Sequence, residues 1–265
     1  MLRRLCLLLI ALPCALQAAD LTVKLHGRTI TYTDSQLRQR PDVRSIDLPN
    51  DVAYHGATHY RAVPLKALLP GLKPTDHLQF VALDGFAAEV PSGVLLNDKG
   101  SEALLAIEDP AHPWPNLPGK DVSAGPFYVV WLRPRAAGIN PEQWPYQLST
   151  IRQLENAAER FPAMQPGHDA SARVQRGFEV FQRICLACHT LNGQGDARLG
   201  PDLNAPRSPT EYMQAGYLRQ YIRDPQSLRH WPQAKMPGFK AQVLSDTDLD
   251  AVIDYLGHMA KQRKP

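Results

Sequence analysis

Cys185-Leu186-Ala187-Cys188-His189 decides how the second half of this 265-residue chain is read. Two thiols three residues apart, with an imidazole directly after the second, meet the requirement for covalent haem attachment. Each thiol adds to a vinyl group, and the adjoining ring ligates iron from one side. The same cysteines in a zinc site would need two further Cys or His ligands at metal spacing. In a thioredoxin-like redox pair they would follow a strand and open a long helix. Here a helical run precedes Cys185, and a loop composition, Leu191-Asn192-Gly193-Gln194-Gly195-Asp196, follows His189. The motif and its flanks read as a site for one covalent haem c.

Upstream, Ser171 caps a predicted helix whose apolar positions Val174, Phe178, Phe181 and Ile184 recur at spacings of three and four, and which delivers Cys185 at its end. Gly177 weakens that helix, and close approach of another helix is the physical reason to keep it. Downstream, a middle helix is predicted from Pro209 to about Arg223, stopping at Asp224-Pro225. A last helix opens at Ser245-Asp246-Thr247-Asp248 by capping and by negative charge near its positive end. Its stripe is Leu249, Val252, Ile253, Leu256 and Met259, with Tyr255 beside it.

Iron needs a second axial ligand. The thioethers after the N-terminal apolar run are Met164, Met213, Met236 and Met259, with His230 as the competing imidazole. Met213 and Met259 fall on helix stripes, where core packing is the plainer reading. Met236 lies in a loop between Lys235 and Pro237, where backbone freedom lets a side chain turn inward.

Residues 171–265 resemble the class I cytochrome c family. The matching positions are Gly177, Phe181, Cys185, Cys188, His189, Gly200-Pro201-Asp202-Leu203, Asp224-Pro225, Lys235-Met236-Pro237-Gly238-Phe239 and Tyr255-Leu256. The resemblance implies an all-α fold, His189 and Met236 as axial iron ligands, and a Pro201 carbonyl turned to the other nitrogen of His189. Thioether ligation favours ferrous iron and raises the potential.

Residues 156–170, from Asn156 through Phe161-Pro162-Ala163-Met164-Gln165-Pro166-Gly167-His168, read as a short, semi-rigid linker. Before it, residues 20–155 read as a mostly β unit. Leu21–Leu25 and Thr29–Thr33 alternate around His26-Gly27 as a hairpin, and a short helix runs from Asp34 to Arg40. Further strands are expected at Val43–Leu48, Thr58–Val63, Leu78–Leu83, Ala87–Val90, Ala103–Ile107, Phe127–Leu132 and Tyr146–Ile151. A short helix is expected over Pro64–Leu69. His55 and His59 are four apart but separated by Gly56, which speaks for loop histidines over a metal pair.

Three stretches of this unit, Tyr60-Arg61-Ala62-Val63-Pro64-Leu65, Leu78 to Asp84-Gly85-Phe86, and Gly125-Pro126-Phe127-Tyr128, resemble the molybdopterin-binding fold of the sulfite-oxidase family. That family holds molybdenum through a cysteine thiolate, and no cysteine stands between Cys14 and Cys185. The unit is therefore expected to carry no molybdopterin and to serve docking or partner recognition.

Arg3 and Arg4 before the apolar run Leu5–Leu12, with small residues at Ala15, Ala18 and Ala19, give residues 1–19 the layout of a secretory signal. The run is too short to span a bilayer, and Cys14 as a lipidated anchor is the alternative. Cleavage would leave only Cys185 and Cys188, no integral membrane segment, and a bacterial periplasmic location. Residues 20–170 hold 14 basic and 17 acidic side chains, against 13 and 9 in residues 171–265. Neither balance suggests nucleic acid, and no Walker loop or dinucleotide fingerprint occurs.

The expectation is an α+β two-domain protein: a periplasmic one-electron carrier exchanging with a dehydrogenase donor or an oxidase or cytochrome acceptor. An enzyme whose β unit binds a small molecule or cofactor, and a haem-based sensor, are the alternatives.

Overall fold

The computed structural model describes residues 19–263, so the signal reading of residues 1–19, Cys14 included, lies outside them but for Ala19. Nine strands form the N-terminal part: β1 (Asp20–Leu25), β2 (Arg28–Thr33), β3 (Arg44–Leu48), β4 (Thr58–Pro64), β5 (His77–Ala82), β6 (Ala87–Pro91), β7 (Glu102–Ile107), β8 (Phe127–Leu132) and β9 (Leu148–Leu154). Short helices α1 (Asp34–Arg38) and α2 (Ser92–Leu95) lie among them. The helical C-terminal part contains α3 (Ala157–Arg160), α4 (Ala172–Val180), α5 (Pro209–Tyr212), α6 (Ala215–Arg223), α7 (Pro225–Leu228) and α8 (Asp246–Lys261).

Alternation drives the β part. Leu21, Val23 and Leu25 turn inward from β1 while their neighbours face out, which pairs the strand with β2 across the His26-Gly27 turn. A five-stranded sheet runs β2-β1-β9-β5-β6, parallel only between β1 and β9. A second, antiparallel sheet runs β3-β4-β7-β8. β7 and β8 are buried nearly throughout, as EALLAI and FYVVWL demand, and one apolar cluster from Leu21 to Ile151 fills the space between the sheets. Trp131 and Trp144 lie inside it, and Trp114 packs against its edge.

A second apolar cluster, from Ala157 to Met259, belongs to the helices. Ala157 and Met164, on the stretch read as a linker, are buried in it. Tyr255, beside the α8 stripe, is fully buried with it, its hydroxyl donating to Met164 O at 2.6 Å.

The middle helix expected over 209–223 is two helices. Met213 and Gln214 are extended, with ψ of 136° and 143°, and break it. The reason is local: Ser208 and Glu211 close a capping box around Pro209, and Arg263 grips the Glu211 carboxylate, so one turn is complete before the chain restarts. α7 follows immediately on Asp224, whose side chain accepts from Gln226 N at 3.1 Å.

Candidate functional site

Three elements assemble around Cys185. Ser171 Oγ accepts from Val174 N at 3.3 Å and starts α4, which lays Val174, Gly177 and Phe178 on α8. At Gly177 the helices nearly touch: a Cβ there would stand 2.0 Å from Ala251 O. The expected reason for that glycine is thus on view. Phe178 and Phe181 pack on Tyr255 with ring centroids 5.5 and 5.4 Å apart. Beyond Val180 the chain widens into a π turn, Phe181–Cys185, which ends the helix at the first cysteine.

The motif then folds back on itself. Cys188 N and His189 N both donate to Cys185 O, at 3.1 and 2.9 Å. The thiols are free, and burial, with the Glu142 charge adding to it, pushes both up to about 12. That is the reverse of a Cys-x-x-Cys redox pair, whose thiols are held low.

His189 Nδ1 lies 2.8 Å from Pro201 O. A carbonyl only accepts, so Nδ1 carries the hydrogen and Nε2 keeps its lone pair for a metal. Burial holds the imidazole below its ordinary pKa, against the opposing pull of Pro201 and Asp202, so the ring is neutral at neutral pH. Gly200 leaves the ring its room, since a Cβ there would stand 2.4 Å from His189 Cε1. Gly200 N also donates to Cys188 O at 2.8 Å.

Asp202 organises this loop. Its carboxylate accepts from Thr190 Oγ1, Asn192 N, Gly193 N, Asn204 N and Ala205 N at 2.7–3.2 Å. Burial alone would raise it, but these donors hold it below the ordinary range. A signal was present, in the form of an aspartate following proline within a Gly/Asn-rich loop.

Met236 is half-buried on the loop between α7 and α8. The loop is pinned to the end of α6: Phe239 N donates to Ile222 O at 3.1 Å, and Arg223 Nη1 donates to Phe239 O and Leu244 O at 2.7 and 2.6 Å. Of its competitors, Met164 and Met259 are in the apolar core, Met213 stands in the helix break, and His230 is exposed. His55 is exposed, and exposed His59 meets Asp47 at 2.8 Å. Among the described residues no three His, Cys, Asp or Glu side chains group as a metal site.

The β part meets the motif. Ala87 N donates to Ala187 O at 3.1 Å, between the two cysteines. The Asp84 and Lys120 charges bear on Cys188. Around Asp196, Gln79 Nε2 donates at 2.7 Å, Arg152 stands at 3.5 Å, and Arg160 bonds the same carboxylate while donating to Glu89 Oε1 at 2.5 Å. Sequence gave no hint of this cluster, because its members are scattered over more than a hundred positions.

Two thiols three residues apart, a neutral imidazole anchored at one nitrogen, and a glycine that a methyl would overfill fit a covalently held haem. Comparison with known families agrees: residues 174–260 match the family model described as cytochrome c. No curated protein matches the chain. The helical C-terminal part therefore carries a cytochrome c domain, which implies haem c and haem-based electron transfer.

Proposed function

We propose that this chain is an exported, periplasmic one-electron carrier with a single haem c, attached through Cys185 and Cys188. Residues 1–19 act as its signal. The single observation that carries the ligand reading is the His189 Nδ1 to Pro201 O contact of 2.8 Å beside bare Gly200. Bound haem supplies a one-electron couple, and the protein's part is to hold and tune it. His189 is oriented by Pro201, which fixes its tautomer and makes its Nε2 a better donor. Met236 would hold the iron with His189, and its thioether would favour the reduced state and a raised potential.

Residues 20–155 are a cofactor-free unit of sulfite-oxidase-like fold, and residues 156–170 join it to the haem domain of residues 171–265. Its contacts across Ala187 and Asp196 support a positional role: it holds the haem domain at a fixed angle and presents its own surface to the partner. That partner is a periplasmic dehydrogenase as donor, or an oxidase or cytochrome as acceptor.

The test is the absorption spectrum and potential of haem-loaded wild type and Met236→Ala. Loss of the weak far-red methionine-to-iron(III) band, with a lower potential in the variant, is expected. An unchanged spectrum would remove Met236 from the coordination.

A further inference from the structure

The turn Pro141–Gln143 brings an acid to the attachment motif from the other part of the molecule. Glu142 Oε2 is buried with no hydrogen-bond partner among the described residues, and so are both amide atoms of neighbouring Asn140. Buried polar atoms are nearly always paired, and an orphan carboxyl oxygen is costly. The turn cannot easily relax to satisfy it. Asn140 N donates to Gln143 Oε1 at 3.1 Å, and the buried indole Trp131 Nε1 donates to Gln143 O at 2.8 Å. Both this turn and the Phe181–Cys185 turn pack on β6, so acid and cysteine share a neighbour. The Glu142 charge reaches both thiols and raises each.

The charged surroundings are few. From the attachment turn, Arg183 faces Glu142 and favours its ionised form. From β6 comes Glu89, whose carboxylate is engaged by His77, Gln79 and Arg160. Asp84 and Lys120 act on Cys188. Burial pushes the Glu142 carboxyl up to about 7, its own backbone and Arg183 opposing only in part, so it exchanges its proton in the neutral range.

We propose that Glu142 is a redox-linked proton site for the haem held at Cys185 and Cys188, binding one proton on reduction and releasing it on oxidation. The inference rests on the electron-carrier reading above. The electron comes from the one-electron donor that reduces the carrier, and the proton from solvent. One O–H bond forms at the carboxylate, leaving its charge neutralised, and the same bond breaks on reoxidation. The physical cause is Coulombic. The oxidised centre carries one more positive charge, which favours the carboxylate, and low local dielectric makes that difference large. Proton affinity is therefore higher in the reduced protein. The potential must fall as pH rises between the two affinities, with a limiting slope of about 59 mV per pH unit for one electron.

The experiment is a spectroelectrochemical titration of full-length, haem-loaded protein across roughly pH 5–9, the range bracketing a displaced carboxyl. Wild type is expected to show the falling potential. Glu142→Gln is expected to be flat over the same window, matching wild type at the acid end and lying above it at the alkaline end. Glu142→Asp restores the slope. A reduced-minus-oxidised infrared difference spectrum of wild type should show a protonated-carboxyl C=O stretch appearing on reduction, a readout that survives if the Gln variant folds badly. An identical slope in wild type and Glu142→Gln, or no such band in wild type, overturns the proposal while leaving the carrier intact. A protein without a c-type spectrum overturns both readings.

Discussion

A methyl group at position 200 would sit 2.4 Å from Cε1 and 2.5 Å from Nδ1 of His189, so ring and loop cannot both stay where they are. Overpacking of this kind costs about 1–3 kcal/mol, and here the structure that gives way is the ring itself or its carbonyl anchor. Gly200→Ala is therefore expected to keep both thioether links, seen by intact mass after haem loading, yet to shift the visible spectrum and the potential. Spectrum and potential equal to wild type would mean that the ring is not confined by this contact. Cys185, Cys188 and His189 were legible because their chemistry lies in residue type and spacing. Gly200 stood in a recognised pattern, but the atom it makes room for did not. Asp202 and Glu142 were not read as site residues at all, since one acts by gathering scattered amides and the other comes from a distant turn.

Among elements, the α4 and α8 pair was readable to the level of its contact. Apolar spacing set the faces, and Gly177 marked where backbones meet. A Cβ at 177 would lie 2.0 Å from Ala251 O and 2.7 Å from Tyr255 Cβ, and no rotamer change removes a backbone oxygen. Gly177→Ala should force the helices apart and lower stability by about 3 kcal/mol, the upper part of the overpacking range. Urea unfolding of the haem-loaded protein should show a lower midpoint at unchanged slope. A midpoint within error of wild type would refute the close crossing. The middle helix misled for a different reason. Apolar periodicity runs through Tyr212 to Ile222, but a helix end set by Ser208, Glu211 and Arg263 overrides it. That last partner sits in the final residues of the described chain, where no local pattern points.

Over the whole molecule, the placement of two parts follows from composition, with alternating strands first and amphipathic helices after. How they meet does not follow, because the joint is made of ion pairs and hydrogen bonds between residues far apart in the chain. Arg160 is its hinge pin. It bonds Glu89, whose side chain is 5% exposed, and Asp196, at 28%, while its guanidinium lies over Phe161 at 4.5 Å. Burial alone would raise the Asp196 carboxyl, yet Gln79, Arg160 and Arg152 hold it below its ordinary value. The unfolded chain therefore takes up this proton first on acidification. The carboxylate's contribution is complete above its unfolded value of about 3.9 and disappears as pH falls through the lower folded value. Arg160→Met keeps the apolar stem but strands two carboxylates. Breaking a buried pair costs about 3–5 kcal/mol, and partial exposure of Asp196 puts this case at the lower end. The loss falls on the joint and not on either apolar cluster, so the variant should keep its haem spectrum, unfold in two steps where wild type unfolds in one, and be cut by protease within residues 155–171 at neutral pH. Wild type should gain the same protease sensitivity only in acid, below about pH 4. One-step unfolding and neutral-pH resistance in Arg160→Met would show that the two parts are held together by something other than this cluster.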